Sequence, residues 1–469
     1  MISRRDQLQS YQFMNQRVIS AFVMRETDPA QSPLRRGIGA LFGGLMVAVL
    51  VAAGFGVYGL LTRTGADQWQ QEGAVVVERE TGASFVYLRN RLNPALNFTS
   101  AKLAAGRPDP PVFRIAAKSL AGTPRGVTIG IAGAPASLPD AARQAGLPWA
   151  MCAVPGDRPA SILLVGATGP AATALGDRAL LVTDTTATHL IWQGRKHLIP
   201  ERATVVALFG NQSPVRIGTA WLNALPSGAD IAPLTVRDLG DPSGAAPGFD
   251  IGDILVTDTG SGRQFNLILD DGRAPITAVQ QVVLSASPDF GEPRKIAVAQ
   301  LADIPESRAR NDGDTDARGP DQVPRLATIA GDESACAITR DAAKPPELTV
   351  GGPATAYDTA IPTTGTTGAG RPLADRIQVG GGRFTLVRVP GSGSFTLVTD
   401  VGLRHPIPTE DALARLGYTP ALAADIPTAL INSIPPGAIS LGRSPRLSTQ
   451  RRNTSSASAS RSGDTAAID

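Results

Sequence analysis

The spacing of apolar residues changes character three times along the chain. In the first stretch Leu8, Tyr11, Met14, Val18 and Phe22 recur at intervals of three and four, which places them on one face of a helix. Ser3 and Asp6 stand where a capping box would open it. The other face holds Gln7, Gln9, Gln12, Asn15 and Gln16 and is amide-rich rather than strongly basic. About twenty residues cannot build a core alone, so the apolar face predicts a neighbour. A docking partner is favoured over the membrane surface, which selects a basic polar face.

The second stretch, 37–62, carries no charge and includes Leu41, Phe42, Leu45, Val49, Leu50, Phe55 and Leu60. As a helix it would be about 39 Å long, enough to cross a hydrocarbon core of about 30 Å with some tilt. A signal peptide has a shorter apolar region and a small-residue cleavage site. No convincing site follows Leu61, so the stretch is read as an uncleaved anchor. Arg4, Arg5, Arg17, Arg25, Arg35 and Arg36 precede it, whereas Arg63 is the only base in the next fifteen or so residues. Basic flanks stay in the cytosol, so residues 1–36 are predicted there and the remainder beyond the membrane. Inside the span Gly39, Gly43, Ala52 and Gly56 repeat at small-residue spacing that lets helices approach closely.

Past residue 63 the pattern shortens to strand-like runs broken by turns, with 50 Gly and 38 Pro in the whole chain. Four segments share a strand, a turn, a proline step and a helix-like run: 84–103, 189–208, 264–284 and 394–416. Their turns are read at Asn90, Gly194, Asp271-Gly272 and Gly402, where a positive φ is tolerated. Modules are expected near 73–110, 183–210, 256–290 and 394–420 of an outer domain spanning 63–442. A separate β-rich core is expected from runs at 127–132, 161–165, 180–183, 295–299, 348–350 and 384–389. Residues 304–326 and the Ser/Thr/Arg tail 443–469 read as poorly ordered. The predicted class is thus one transmembrane helix followed by a mainly β, α+β domain.

The net charge of +3, with no basic stripe interleaved with aromatics, gives nucleic-acid binding no support. The two cysteines, Cys152 and Cys336, both fall in the exported part, where a disulfide is the simplest reading and two buried thiols the alternative. Such a bridge would be worth about 3 to 5 kcal/mol in the chain-entropy account. No Gly-rich loop ends in Gly-Lys-Ser/Thr, and no nucleophile elbow occurs. Gly365, Gly368 and Gly370 lie in a Thr/Gly run read as loop. His189, His197 and His405 lack metal-ligand neighbours. His197 and His405 follow equivalent turns and are read as solvated hairpin residues, with pH sensing the lesser alternative. Asn97-Phe98-Thr99 matches a glycosylation sequon, but Asn97 is better placed as a helix cap. No catalytic, cofactor or metal site is expected.

Several of these residues resemble the EccB family, a membrane component of type VII (ESX) secretion. They are Arg5-Asp6-Gln7, Tyr11, Phe13 and Arg17 before the span, then Leu92-Asn93-Pro94-Ala95-Leu96-Asn97-Phe98-Thr99-Ser100-Ala101-Lys102-Leu103 after it. Trp149, Cys152 and Cys336 continue the match, followed by Gly402-Leu403-Arg404-His405-Pro406-Ile407-Pro408 and Leu416-Gly417-Tyr418. Coverage is essentially 1–442, weakest in modules two and three. The resemblance implies an elongated, propeller-like array of four modules around a β-rich core, stapled by Cys152 and Cys336. It also implies a ring-like oligomeric inner-membrane complex with the EccC motor ATPase, EccD and EccE, and a periplasmic association with a mycosin protease. Some members are labelled ATPases, which the missing phosphate loop does not support. A structural export subunit is therefore expected first, a nucleotide hydrolase second and an anchored cell-wall binder third.

Overall fold

Among the described residues two helices precede every strand, α1 (Arg4–Met24) and α2 (Pro33–Arg63). The computed structural model describes residues 3–24, 33–63, 68–308, 319–388, 391, 393–437 and 441. The tail 443–469 and part of the 304–326 segment, residues 309–318, lie outside the described residues. At the start of α1 the Arg5 N–H donates to Ser3 Oγ at 3.2 Å and the Ser3 N–H to Asp6 Oδ2 at 3.3 Å, the expected reciprocal cap.

Among the described residues beyond 68, one unit recurs four times. Three antiparallel strands are followed by a helix, a short fourth strand parallel to the first, and a second short helix. The first unit comprises β1 (Ala74–Glu78), β2 (Ser84–Leu88), β3 (Arg91–Ala95), α3 (Phe98–Ala104), β4 (Val112–Ile115) and α4 (Ala117–Leu120). After β5 (Trp149–Val154), β6 (Ala160–Val165) and β7 (Thr173–Ala174), the second has β8 (Leu180–Thr183), β9 (Thr188–Trp192), β10 (Arg195–Ile199), α5 (Arg202–Phe209), β11 (Val215–Arg216) and α6 (Thr219–Ala224). The third has β12 (Ile254–Thr259), β13 (Gly262–Leu269), β14 (Gly272–Ile276), α7 (Ala278–Ser285), β15 (Arg294–Lys295) and α8 (Val298–Ala302). Next come β16 (Glu333–Thr339), β17 (Glu347–Pro353), β18 (Ile361–Pro362) and β19 (Arg376–Val379). The fourth unit has β20 (Phe384–Arg388), β21 (Phe395–Thr399), β22 (Arg404–Ile407), α9 (Glu410–Leu416), β23 (Ala424–Asp425) and α10 (Thr428–Asn432). Every unit shows strand order third-second-first-fourth. The parallel fourth strand needs a crossover, which the first helix supplies.

Local chemistry explains these elements. The β2–β3 turn places Arg89 and Asn90 at φ +52 and +57, and the β9–β10 turn places Gln193 and Gly194 at +45 and +75, the two-residue hairpin geometry that matches strand twist. Asn97, Thr277 and Thr409 cap α3, α7 and α9, each accepting a backbone N–H from the first turn. Gly272, by contrast, begins β14 rather than making the turn. A Cβ there would come within 2.2 Å of the Pro305 carbonyl, so its role is close approach.

Several expected core strands fall elsewhere. Residues 180–183 and 384–388 are the first strands of units two and four, hydrogen-bonded to the hairpins expected without them. Being interior strands they read as continuous apolar runs, the same signal that a separate core strand would give. Residues 127–132 form no strand, only an isolated bridge from Ile129 to Ala95; Gly130 breaks the run, and Gly126 and Gly133 flank it. Within 295–299 the strand ends at Lys295 and a helix begins at Val298.

The remaining strands form a seven-stranded sheet in the order β18-β19-β6-β5-β16-β17-β7. Period-two alternation sends Trp149, Met151 and Ala153 of β5 to one buried face and Ala150 and Cys152 to the other. The Trp149 face receives the second helices of units two and four, through Trp221, Leu222, Leu430 and Ile431. Units one and three attach further out. The helix α3 packs on α9, placing Leu103 in the core of unit four, and α5 packs on α7, joining Val205 to Val279 and Val283. The order of contact is therefore one, four, central sheet, two, three.

Candidate interaction surfaces

The stripe on α1 points into open space. Leu8, Tyr11, Met14, Val18 and Phe22 are all exposed, Phe22 to 88%. Most of α1 is uncovered, and Ser20 is its buried residue among those described. On α2 the segment Gly37–Tyr58 is long and apolar enough to cross a membrane, and it is the one such helix among the described residues. Gly39, Gly43, Ala52 and Gly56 sit on it exposed, and nothing lies within 4 Å of a Cβ built at the three glycines. The fold therefore does not bring these residues together with the outer domain; it leaves two apolar elements for other occupants.

Cys152 and Cys336, by contrast, are joined. They face each other directly across β5 and β16 in a disulfide that links positions 184 apart in sequence. The Tyr357 hydroxyl lies 3.2 Å from the Cys336 sulfur and 2.9 Å from Ser334 Oγ, so the bridge is sealed beneath a tyrosine. Burial raises that phenol's pKa, and its hydrogen bond to Ser334 acts in the opposite sense.

The stretch from Asn97 to Lys102 proves to be a junction. Asn97 Oδ1 accepts the Ser100 N–H at 2.8 Å, while its Nδ2 donates to the Ile131 carbonyl at 2.9 Å. Thr99 Oγ1 donates to the Pro135 carbonyl at 2.7 Å, so this short motif holds the chain that leaves unit one. Asn97 is thus a cap whose amide is engaged. Lys102 Nζ donates to Asp109 at 3.2 Å and to the Leu416 carbonyl at the end of α9 at 3.0 Å, tying unit one to unit four. The Asp109 N–H reaches the Ala414 carbonyl at 2.9 Å, and Arg415 donates to the Leu103 carbonyl at 3.5 Å.

Neither buried histidine matches the expectation of a solvated hairpin. His197 is fully buried and His405 is 1% exposed, because the chain returns over each third strand after the second helix. Leu225-Pro226-Ser227-Gly228 covers β10 and Ile434-Pro435-Pro436-Gly437 covers β22. Thr123-Pro124-Arg125-Gly126 and Ile304-Pro305-Glu306-Ser307 do the same for β3 and β14. The fourfold return carries a recurring Pro-x-Gly, with serine once in place of glycine, a local signal that lies outside the hairpins themselves.

The described residues contain no group of three or more His, Cys, Asp or Glu able to hold a metal. Gly365, Gly368 and Gly370 occupy the β18–β19 connection, closed by a Thr366–Pro372 bridge. A surface cleft of about 440 Å³ on unit three is lined by Arg263, Gln264, Asn266, Arg273, Glu306 and Asp321. Its Arg273 is already held by Glu306 at 3.2 Å and Asn266 at 3.3 Å, so the cleft offers mixed, largely neutralised polarity.

Comparison with known proteins relates the chain to a family. Residues 1–450 match the family model described as type VII secretion system ESX-1, transport TM domain B. The ESX-2 secretion system ATPase EccB2 of Mycobacterium tuberculosis is 32% identical over 327 residues, 65% of this chain, and the match spans 64% of that relative's length. The ESX-3 secretion system ATPase EccB3 of Mycolicibacterium smegmatis is 29% identical over 453 residues, 88% of this chain and 85% of the relative. Among solved structures, a chain of an intact ESX-5 inner membrane complex superposes with a TM-score of 0.63 at 24% identity, covering 100% of this chain and 97% of that one. A chain of an EccB3 dimer from the ESX-3 core complex gives 0.60 at 25% identity, covering 79% and 98%.

Proposed function

We propose that this chain, which belongs to the EccB family of type VII secretion components, is a structural and interaction subunit of an inner-membrane protein-export complex. The observation that carries the reading is the division of the molecule into an extensively bonded outer domain and two apolar helical elements that the domain leaves uncovered. In this reading α2 anchors the protein in the plasma membrane, with Gly39, Gly43, Ala52 and Gly56 facing a neighbouring helix. The basic N-terminal flank keeps α1 in the cytosol, where Leu8, Tyr11, Met14, Val18 and Phe22 dock on another subunit. The EccC motor, EccD and EccE are the proposed partners in the membrane, and a mycosin protease on the far side.

The outer part, 63–442, is then a periplasmic scaffold of four modules, the units described above, in an elongated, propeller-like array. The contact order one, four, central sheet, two, three supports an extended rather than a closed arrangement. The assembly is proposed to close into a ring of several copies. Relatives carry the name ATPase, but this sequence has no Gly-Lys-Ser/Thr phosphate loop, so the proposed role is non-catalytic.

The test uses Val18→Asp combined with Phe22→Asp in matched membranes. Each change removes about 1.5 to 3 kcal/mol of apolar burial at a docked interface and adds a desolvation cost. The double variant should insert normally and fold its outer domain, yet lose the motor and other membrane subunits on co-purification. Recovery of the whole complex in normal yield would reassign the stripe to the lipid surface. ATP turnover by the purified chain, free of motor subunit and abolished by one substitution, would replace the scaffold reading with the enzymatic one.

A further inference from the structure

Modules two and four share a device that modules one and three lack. His197 on β10 and His405 on β22 occupy the same place in the repeat, under Gly228 and Gly437 of the returning chain. A Cβ on either glycine would meet the imidazole at 2.2 Å, so ring and backbone are in direct contact. At the corresponding place module one has Asn93 under Gly126, where a Cβ would likewise collide with the amide, and module three pairs Ala274 with Ser307. The returning chain bonds to the third strand identically in all four. The N–H groups of Gly126, Gly228, Ser307 and Gly437 donate to the carbonyls of Leu92, Lys196, Arg273 and Arg404 at 2.8 to 2.9 Å.

We infer that His197 and His405 make modules two and four acid-releasable: protonating either ring puts a charge beneath the returning chain and frees that chain from the third strand. The His197 Nδ1 lies 2.8 Å from the Ala229 carbonyl, which only accepts, so Nδ1 carries the hydrogen and a second proton must go to Nε2. That nitrogen is buried without a hydrogen-bond partner among the described residues. Burial holds the His197 pKa below its ordinary value; the Ala229 bond and Asp230 oppose the shift, and Arg195 adds to it. His189 and Lys196 also lie on this sheet, with Trp192 tilted at 6.3 Å from the His197 ring. His405 faces Leu397 across β21, and the neighbouring Arg404 donates to the Ile434 carbonyl at 2.8 Å. Burial pushes the His405 pKa down to about 4.

Because the folded values lie below the unfolded one near 6.5, neither form gains a proton above that pH. Below it the open form takes the proton first, and closure weakens until the folded value is reached. Modules two and four are also the pair that grips the central sheet, so their loosening would reach the middle of the domain.

The test is hydrogen exchange on the full chain in detergent from pH 7.5 to 5, read as protection factors, which remove the intrinsic pH dependence. Protection at the Gly437 N–H should fall by up to about thirty-fold between pH 7.5 and 5, about half of that factor arising below pH 6.5, and at Gly228 in the same direction. The Gly126 and Ser307 amides, over Asn93 and Ala274, should hold steady as controls within the same molecule. His197→Gln and His405→Gln should each remove the response from its own module. The wild-type comparison stands even where a variant fails to fold. Equal loss in all four modules, or none in modules two and four, would overturn the inference.

Discussion

Between modules one and four α3 lies against α9, and between modules two and three α5 lies against α7. The elements correspond, yet the chemistry of the two seams does not. At the first seam Lys102, 10% exposed, donates to the Leu416 carbonyl, one of the groups that a helix end leaves without an internal partner. Its ion pair with Asp109 contributes little, since that carboxylate is 80% exposed. The fit is narrow. Asp109 takes φ +36, and a Cβ on Gly417, itself at φ +89, would stand 2.7 Å from Lys102 Nζ. The second seam is apolar, with Val205 packed among Val279 and Val283. The first seam adds directional bonds, which fix one geometry, to the burial of Leu103, whereas the second relies on burial that tolerates small shifts. Module one, which follows α2 in sequence, is thus held in a defined orientation on module four.

The strongest challenge to this contrast is to loosen the central sheet, which modules two and four both grip. Replacing Cys152 and Cys336 together with alanine should lower unfolding stability by about 3 to 5 kcal/mol, measured by denaturant titration of the full chain. Exchange at both seams should rise equally; a response confined to one would mean that the central sheet does not support both. Next in size, Lys102→Met strands the Leu416 carbonyl and should cost about 2 kcal/mol, with faster exchange at 101–105 and 412–417 only. Gly417→Ala should cost about 1 to 3 kcal/mol at the same place, because it adds backbone strain to the clash. Val283→Ala should cost about 1 to 2 kcal/mol and act on the second seam alone. Smallest is the effect of salt. Raising sodium chloride from 0.1 to 1 M should weaken the first seam by only about 0.3 kcal/mol, since its main bond is to a carbonyl, and should not weaken the second.

Much of this organisation is written in local pattern. The uncharged run 37–62 specifies a membrane-length helix because hydropathy is a sum over neighbours, and α2 forms over it. Caps and turns are equally local: Asn97 and Asn90 each serve the backbone within three residues, and their roles were legible from position alone. Two cysteines in an exported domain made a disulfide the simplest reading, and the fold joins them across β5 and β16. What tertiary structure decided is which apolar strand joins which sheet. Residues 180–183 and 161–165 are both short apolar runs, yet one opens module two and the other lies in the central sheet. Strand partners are non-local, and a strand buried on both faces carries no alternation to mark its side. The same holds for His197 and His405: their hairpins were visible, but the chain that buries each arrives some thirty residues later, so solvent exposure could only be settled by the completed fold.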